Sequence, residues 1–347
     1  MVKHTVVTGA SGMLGSFVVQ RLSDAGVPVR GVDLRPPVDP PAGSTHVIAD
    51  VRDAAAMTEA VTGAEAVIHC AAALPSYAPA EIRSVIVDGT RNVLTTAHRA
   101  GVGRVVHIST TAVYGLPRTV PTTEDYPPTP VDDYGRAKAA AEELCEKFRA
   151  DGLCVPILRP KTFVGPGRMG LFAMLFEWAE EGRHFPILGR GSVRIQMCAV
   201  EDLVEFVHTV LRADPLIAND TFNVAATEFG TFRQDVQAIL DEAGHGRRVI
   251  SIPAKPAVAV LQLLQRAKLS PVYGRLLNKL LDDSFVSTEK ARRQLGFAPR
   301  YSNQEALART YHWWQQQRRV AGDPGRNGRT SREPWSQGAL KYAKVFF

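Results

Sequence analysis

A short apolar run, Thr5-Val6-Val7, leads directly into Thr8-Gly9-Ala10-Ser11-Gly12-Met13-Leu14-Gly15, and an apolar-periodic stretch then continues to about Ala25. This is the pattern of a buried parallel strand, a glycine turn and a helix start, with the glycines spaced G-x-x-G-x-x-G. It constrains the fold strongly. A parallel strand followed at once by a helix must be crossed over and paired again, so the chain is expected to build a doubly wound α/β sheet. It also predicts a ligand. Gly9, Gly12 and Gly15 permit a tight turn and a close approach of backbone to a pyrophosphate, and the N–H groups from Ser11 through Met13 and Leu14 face an anion at the helix N-terminus. A second strand is expected from Val29 to Leu34 and carries Asp33, about 20 residues on, where a carboxylate meets an adenosine ribose. A carboxylate there accepts both ribose hydroxyls of NAD and repels the 2′-phosphate of NADP. Arg35, two residues later, is able to accept that phosphate.

The second constraint is Tyr134-Gly-Arg-Ala-Lys138. Residues four apart share one face of a helix, so a phenol and an ammonium stand side by side. The cation favours phenolate and lowers a tyrosine pKa from its usual value of about 10. A tyrosine so tuned is suited to act as acid or base on a hydroxyl or ketone. Arg104-Val105-Val106-His107-Ile108 is an apolar run of strand length, and Thr110 lies just past its C-terminal end. Ligands of open α/β sheets bind at that end of the strands. Ser109 and Thr111 are adjacent hydroxyls that compete with Thr110, which has an ordinary strand-end or capping role open to it as well.

Taken in order, these segments resemble the extended short-chain dehydrogenase/reductases, the group of NAD-dependent epimerases and dehydratases, from about Val2 to Gln317. Asp50-Val51-Arg52-Asp53 resembles the family's adenine-side segment. Val67-Ile68-His69-Cys70-Ala71-Ala72-Ala73 resembles the strand and turn beneath the cofactor. Val87-Asp88-Gly89-Thr90-Arg91-Asn92-Val93 resembles the helix that follows. Ile108-Ser109-Thr110-Thr111-Ala112-Val113-Tyr114-Gly115 resembles the catalytic hydroxyl segment, which implies Thr110 as the active one. Leu158-Arg159-Pro160 with Gly165-Pro166-Gly167 resembles the strand and turn beside the nicotinamide. The resemblance implies catalysis by Thr110, Tyr134 and Lys138, with NAD held by the glycine turn, Asp33, Arg35, Asp50, Val51, Ala71, Ala72, Ala73, Tyr134, Lys138 and Pro160. It also implies a division into a Rossmann-like domain over 1–160, with core elements added from later segments, and a smaller mixed α/β substrate lobe over 161–317.

The substrate side departs from the nucleotide-sugar members. Thr162, flanked by Lys161, stands where they carry an asparagine. Arg194 stands one residue away from their diphosphate-binding arginine, with Ile195 at the usual place. Thr111 and Ala112 replace the acidic pair of 4,6-dehydratases, so dehydration is not expected. Thr111, Thr162, Arg168 and Arg194 are the expected substrate contacts. The expected activity is nucleotide-sugar epimerisation; the alternative is net dehydrogenation or ketone reduction on a non-sugar alcohol of hydroxysteroid or secondary-metabolite type.

Composition limits the remaining classes. The chain has 347 residues and a net charge of +6. Most of that charge lies from Arg318 onward, where Arg318, Arg319, Arg326, Arg329, Arg332, Lys341 and Lys344 face only Asp323 and Glu333. The body is therefore near neutral, and no nucleic-acid partner is expected. Residues 318–347 read as a mobile basic extension. No apolar run reaches the ~18 residues of a membrane span, and the N-terminus enters a strand without room for a signal peptide. Cys70, Cys145, Cys154 and Cys198 lack paired spacing and read as free thiols, and no metal site is read. A cytoplasmic homodimer acting on a small molecule is expected. The stretches Ala257–Leu264 and Leu276–Leu281 are apolar enough for core or dimer packing.

Overall fold

In the computed structural model, which describes residues 3–168, 172–259 and 282–321, the first strand forms as β1 (His4–Thr8) and the glycine turn opens α1 (Met13–Asp24). The chain continues through β2 (Val29–Asp33), β3 (Thr45–Ile48), α2 (Ala54–Val61), β4 (Ala64–His69), α3 (Pro79–Arg83), α4 (Gly89–Arg99), β5 (Arg104–Ile108), α5 (Asp133–Ala150) and β6 (Ile157–Pro160). It then forms β7 (Phe163–Val164), α6 (Phe172–Glu180), β8 (Phe185–Leu188), β9 (Cys198–Ala199), α7 (Val200–Arg212), α8 (Pro215–Ala218), β10 (Thr221–Val224), α9 (Phe232–Glu242) and β11 (Val249–Ile252). Two later helices span Glu289–Leu295 and Asn303–Ala321.

Seven strands make one parallel sheet in the order β3-β2-β1-β4-β5-β6-β10. The chain runs outward from β1 to β3, then returns to the other side of β1 and runs outward again from β4. That reversal opens a crevice beyond the carboxyl ends of β1 and β4. Alternation along each strand explains why both faces are apolar. Val7, Ile68, Val106 and Leu158 point to the side holding Leu14, Val18, Leu203 and Phe206 of α1 and α7. Val6, Val67, Val105 and Ile157 point to the side holding Met57, Val93 and Ala141 of α2, α4 and α5. The Rossmann-like doubly wound sheet expected from the sequence is therefore present.

The region after Lys161 divides in a way that local patterning did not reveal. β10 leaves its sequence neighbours and pairs with β6 at the sheet edge, Thr221 opposite Ile157 and Val224 opposite Pro160. α7 lies against α1 in the same core. A separate apolar cluster joins α6, β8, β11, α9 and Asn303–Ala321 around Phe176, Trp178, Tyr311 and Trp314.

By its apolar alternation, the stretch Val193-Arg194-Ile195-Gln196-Met197 reads in the sequence as a short strand. Val193–Met197 does not form a strand; only Ile195 makes a bridge, to Ser284, and the strand is Cys198–Ala199, paired with β7. Side chains take the backbone partners there. The Arg194 N–H donates to Asp283, and the Met197 N–H donates to Asn303. Residues 260–264 and 276–281 of the apolar stretches, and the basic tail beyond 321, lie outside the described residues. Among the described residues, no helix is long and apolar enough to cross a membrane.

Candidate active site

The glycine turn is built on contacts that a Cβ would block. Gly9 has a left-handed φ of 68°, and a Cβ there would lie 2.7 Å from the Ala71 nitrogen. A Cβ on Gly15 would lie 2.1 Å from the Gly9 carbonyl oxygen. α1 thus packs against the turn at a distance only glycine allows. Gly12 occupies the N-cap position, brings no side chain to the first turn, and donates its N–H to the Gly9 carbonyl at 3.0 Å. Met13 and Leu14 open the helix with buried side chains, so their contribution to an anion site is their backbone.

Asp33 closes β2 beside this turn. Its Oδ2 accepts the Ser11 N–H at 3.0 Å and its Oδ1 accepts the Arg35 N–H at 3.1 Å. The Ser11 hydroxyl donates to the Arg35 carbonyl at 2.7 Å. The carboxylate is therefore oriented by two backbone donors and keeps lone pairs for a ligand, while the Arg35 side chain is exposed. On the other wall, the Ala71 N–H donates to the Thr8 hydroxyl oxygen at 3.3 Å. Thr8 also bonds His69 Nδ1 at 2.7 Å, and His69 Nε2 bonds Thr90 at 3.0 Å. Burial, with help from nearby Lys138, pulls the His69 imidazole down to about 3, so it stays neutral in this chain of bonds. Ala71 is half-buried, Ala72 exposed and Ala73 buried. Asp50 differs in kind: its carboxylate is engaged by Arg52 Nε at 2.9 Å, which holds it below the usual carboxylate range. Val51 is buried, and its carbonyl accepts from Asn92 at 2.7 Å.

α5 carries the tyrosine and lysine. Asp132 caps it by accepting the Gly135 N–H at 2.7 Å, which places Tyr134 in the first turn and Lys138 one turn on. The helix start packs on the turn after β5, since a Cβ on Gly135 would lie 3.0 Å from the Ala112 carbonyl. Lys138 is buried and donates to the Ile108 carbonyl at 2.7 Å. Burial pulls its ammonium down to about 8, against the opposing influence of Cys70, Glu142 and Cys145. Tyr134 is half-buried.

Three hydroxyls follow β5, and the structure separates them. The Ser109 hydroxyl turns inward and donates to Glu142. Thr111 is buried within a short 3-10 turn, Thr111–Tyr114. Thr110 is half-exposed, and its hydroxyl oxygen caps that turn by accepting the Ala112 N–H at 3.1 Å. A cap uses one lone pair and leaves the O–H free to rotate toward another acceptor. Pro160 ends β6 in the adjacent position, where the Ser109 N–H bonds the Leu158 carbonyl at 2.7 Å.

Sequence reasoning missed the buried polar set behind this surface. Glu142 lies one turn beyond Lys138 and forks onto Arg159 at 2.6 and 3.0 Å. Arg159 also donates to the Tyr114 hydroxyl oxygen and to the Glu124 carbonyl, both at 2.9 Å. Tyr114 donates onward to Asn223 at 2.8 Å. The signal was present in the spacing: Tyr134, Lys138 and Glu142 share one helix face, and an acid on a buried face demands a partner.

The expected substrate contacts do not form one cluster of hydrogen bonds. Arg194 pairs with Asp283 at 2.9 Å and lies over the Phe285 ring at 4.5 Å. Arg168 lies over the Phe163 ring at 5.0 Å. Thr162 is exposed. Leu116 and Val131, exposed at 42% and 48%, are apolar residues on the segments that carry Thr110 and Tyr134.

Residues 5–225 match the model of the NAD-dependent epimerase/dehydratase family. The chain belongs to that family. As a member of it, the chain is an NAD-dependent enzyme, and the glycine cradle and Asp33 carboxylate fit that dinucleotide. The uncharacterized protein y4nG of Sinorhizobium fredii is 34% identical, over 94% of this chain and 82% of its own length. A 3β-hydroxysteroid dehydrogenase/Δ5→4-isomerase of Mycobacterium tuberculosis is 28% identical, over 88% of each chain. The UDP-glucose 4-epimerase of Thermotoga maritima, solved with UDP-glucose, shares the fold at a TM-score of 0.75 and 23% identity, over 90% of this chain and 99% of its own.

Proposed function

We propose that this family member is a net NAD-dependent dehydrogenase or ketoreductase acting on a secondary alcohol or ketone with an apolar body. The observation that carries the reading is the state of Arg194. The cation expected to meet a substrate diphosphate is neutralised by Asp283 and seated on Phe285. A phosphate there would have to share the guanidinium with the Asp283 carboxylate, which is a second anion. Exposed apolar Leu116 and Val131 on the segments that carry Thr110 and Tyr134, and the dehydrogenase among the relatives, support the same substrate class.

In this reading Thr110 donates a hydrogen bond to the substrate oxygen and holds it beside Tyr134. Tyr134 takes the hydroxyl proton during oxidation and returns one during reduction. Lys138, fixed to the Ile108 carbonyl, supplies the positive charge that favours phenolate. Gly9, Ser11, Gly12, Met13, Leu14 and Gly15 present backbone to the dinucleotide pyrophosphate, and Asp33 takes the adenosine ribose. Val51, Ala71, Ala72, Ala73 and Pro160 line the same crevice, with Asp50 acting through its Arg52 pair. NAD, when bound, supplies the hydride acceptor and its reduced form the donor.

A nucleotide-sugar epimerase is the second reading. It uses Thr110, Tyr134 and Lys138 identically and would rely on Arg168, at the turn after β7, for its phosphates. Both readings take the protein to be a cytoplasmic homodimer with residues 1–160, joined by α7 and β10, as the cofactor domain and the rest of 161–317 as the substrate lobe. The test is an assay with added NAD over a panel of apolar secondary alcohols and nucleotide sugars. Stoichiometric NADH with an apolar alcohol is expected. Isomerised nucleotide sugar, with cofactor retained on the protein and no net NADH, would replace the first reading by the second.

Cofactor choice gives an independent expectation. NAD should bind more tightly than NADP, because a second anion beside Asp33 is repelled. Asp33→Ala should narrow or reverse that preference, with Arg35 then able to pair with the phosphate. Paired titrations of both cofactors against wild type and variant check this; tighter NADP binding by wild type would remove Asp33 from the ribose site.

A further inference from the structure

We propose that the buried Glu142–Arg159 pair is a positioning device for Thr110, acting through Ser109 on one side of that threonine and Tyr114 on the other. The inference rests on the reading that Thr110 and Tyr134 carry the chemistry, and it assigns roles to four residues outside that set.

The geometry is that of a clamp on a short piece of backbone. Thr110 lies between two anchored neighbours. Ser109 donates its hydroxyl to Glu142 on α5. Four residues after Thr110, the Tyr114 hydroxyl accepts from Arg159 Nη1 at 2.9 Å and donates to Asn223 at 2.8 Å. Glu142 and Arg159 are themselves forked together at 2.6 and 3.0 Å. The carboxylate and guanidinium therefore hold both ends of the segment that presents Thr110. Glu142 belongs to the helix that presents Tyr134 and Lys138, so the threonine is registered against the tyrosine's own helix. Arg159 directly precedes Pro160, which brings the end of β6 into the same frame. The set extends to the edge strand: Asn223 donates its N–H to Glu124 at 2.9 Å and its side-chain amide to the Thr122 carbonyl at 3.2 Å.

A purely structural role fits these residues less well. Ser109, Glu142, Arg159 and Tyr114 are all buried. Well-packed apolar residues often hold buried elements together as well as an ion pair does, because removing two charges from water is costly. What apolar packing does not supply is direction. A forked guanidinium–carboxylate pair with further hydrogen bonds specifies distance and angle together. A hydroxyl that must meet a substrate oxygen within hydrogen-bond range of Tyr134 needs such specification, since misplacement by about 1 Å is able to cost ~10²-fold in rate.

The test uses conservative variants of the whole enzyme, assayed well below each melting temperature with the substrate found by the panel. Tyr114→Phe and Ser109→Ala each remove one hydrogen-bonding hydroxyl and keep the packing. Each should lower kcat by about 5- to 10-fold, a fraction of the loss expected from full misplacement, with NAD affinity and KM nearly unchanged. Glu142→Gln, which loses the charge, should lower kcat further if it folds; the two hydroxyl variants decide the matter if it does not. The discriminating readout is epistasis with Thr110→Ala. A device that acts through the Thr110 hydroxyl has nothing left to position once that hydroxyl is gone, so Tyr114→Phe and Ser109→Ala should then have no further effect on kcat. Wild-type kcat in both single variants, or losses that multiply fully with Thr110→Ala, would overturn the inference. Full activity in Tyr134→Phe would instead overturn the reading beneath it, so the two failures are distinguishable.

Discussion

Tyr134→Phe is expected to lower turnover by about 10²-fold or more while leaving NAD affinity nearly unchanged, because it deletes the general acid/base and at most one of many cofactor contacts. The ring that packs in the first turn of α5 is retained. Asp132 still caps the helix at the Gly135 N–H, and Lys138 still donates to the Ile108 carbonyl. The cofactor crevice between the Gly9 turn and Ala71 is built from other elements and should not change. Turnover at saturating substrate, set beside a titration of NAD against the same preparation, separates the two quantities. Near-normal turnover would remove Tyr134 from the chemistry, and with it the case for Thr110 and Lys138 as its partners. A loss of NAD binding equal to the loss of turnover would assign the phenol to cofactor binding alone.

Gly15→Ala is expected to have the second largest effect, and it should fall on cofactor binding. The added Cβ would lie 2.1 Å from the Gly9 carbonyl oxygen and 2.9 Å from the Ala10 Cα, so backbone must move. Both neighbours belong to the turn that faces the dinucleotide, and α1 is buried against the sheet through Leu14, Val18 and Leu22. Overpacking of this kind costs ~1–3 kcal/mol, and a turn that shifts to relieve it no longer presents its N–H groups in line. NAD affinity should fall by at least ~10-fold, which corresponds to about 1.4 kcal/mol. Melting temperature with and without NAD gives a parallel measure: the variant should melt lower and gain less from added cofactor. Wild-type affinity would mean that α1 yields without disturbing the turn.

The buried His69 illustrates how far a strand sequence can be read. Val67-Ile68-His69-Cys70 predicts an apolar strand, and β4 forms there with His69 fully buried. A histidine in such a strand has no local signal for its partners. They are Thr8, on the neighbouring strand, and Thr90, in α4, both distant in sequence. The same holds for Arg194. No local pattern connects its guanidinium to Asp283 and Phe285, far along the chain, which pair with it and lie beneath it.

The sequence by itself determined the sheet class, the glycine turn, Asp33 at the end of β2 and the Tyr134–Lys138 spacing on one helix. Each of these is written in residues close together, where steric freedom of glycine, helical periodicity and strand length act locally. Tertiary structure alone decided that β10 joins β6 at the edge of the main sheet, and that Thr110, among three adjacent hydroxyls, is the one left half-exposed. It alone joined Ser109, Glu142, Arg159, Tyr114 and Asn223 into one buried set. The physical reason is common to all three. A buried polar group must find a partner. Which partner it finds depends on the strand order of the sheet and the helices packed on it, and those bring together residues that no local pattern connects.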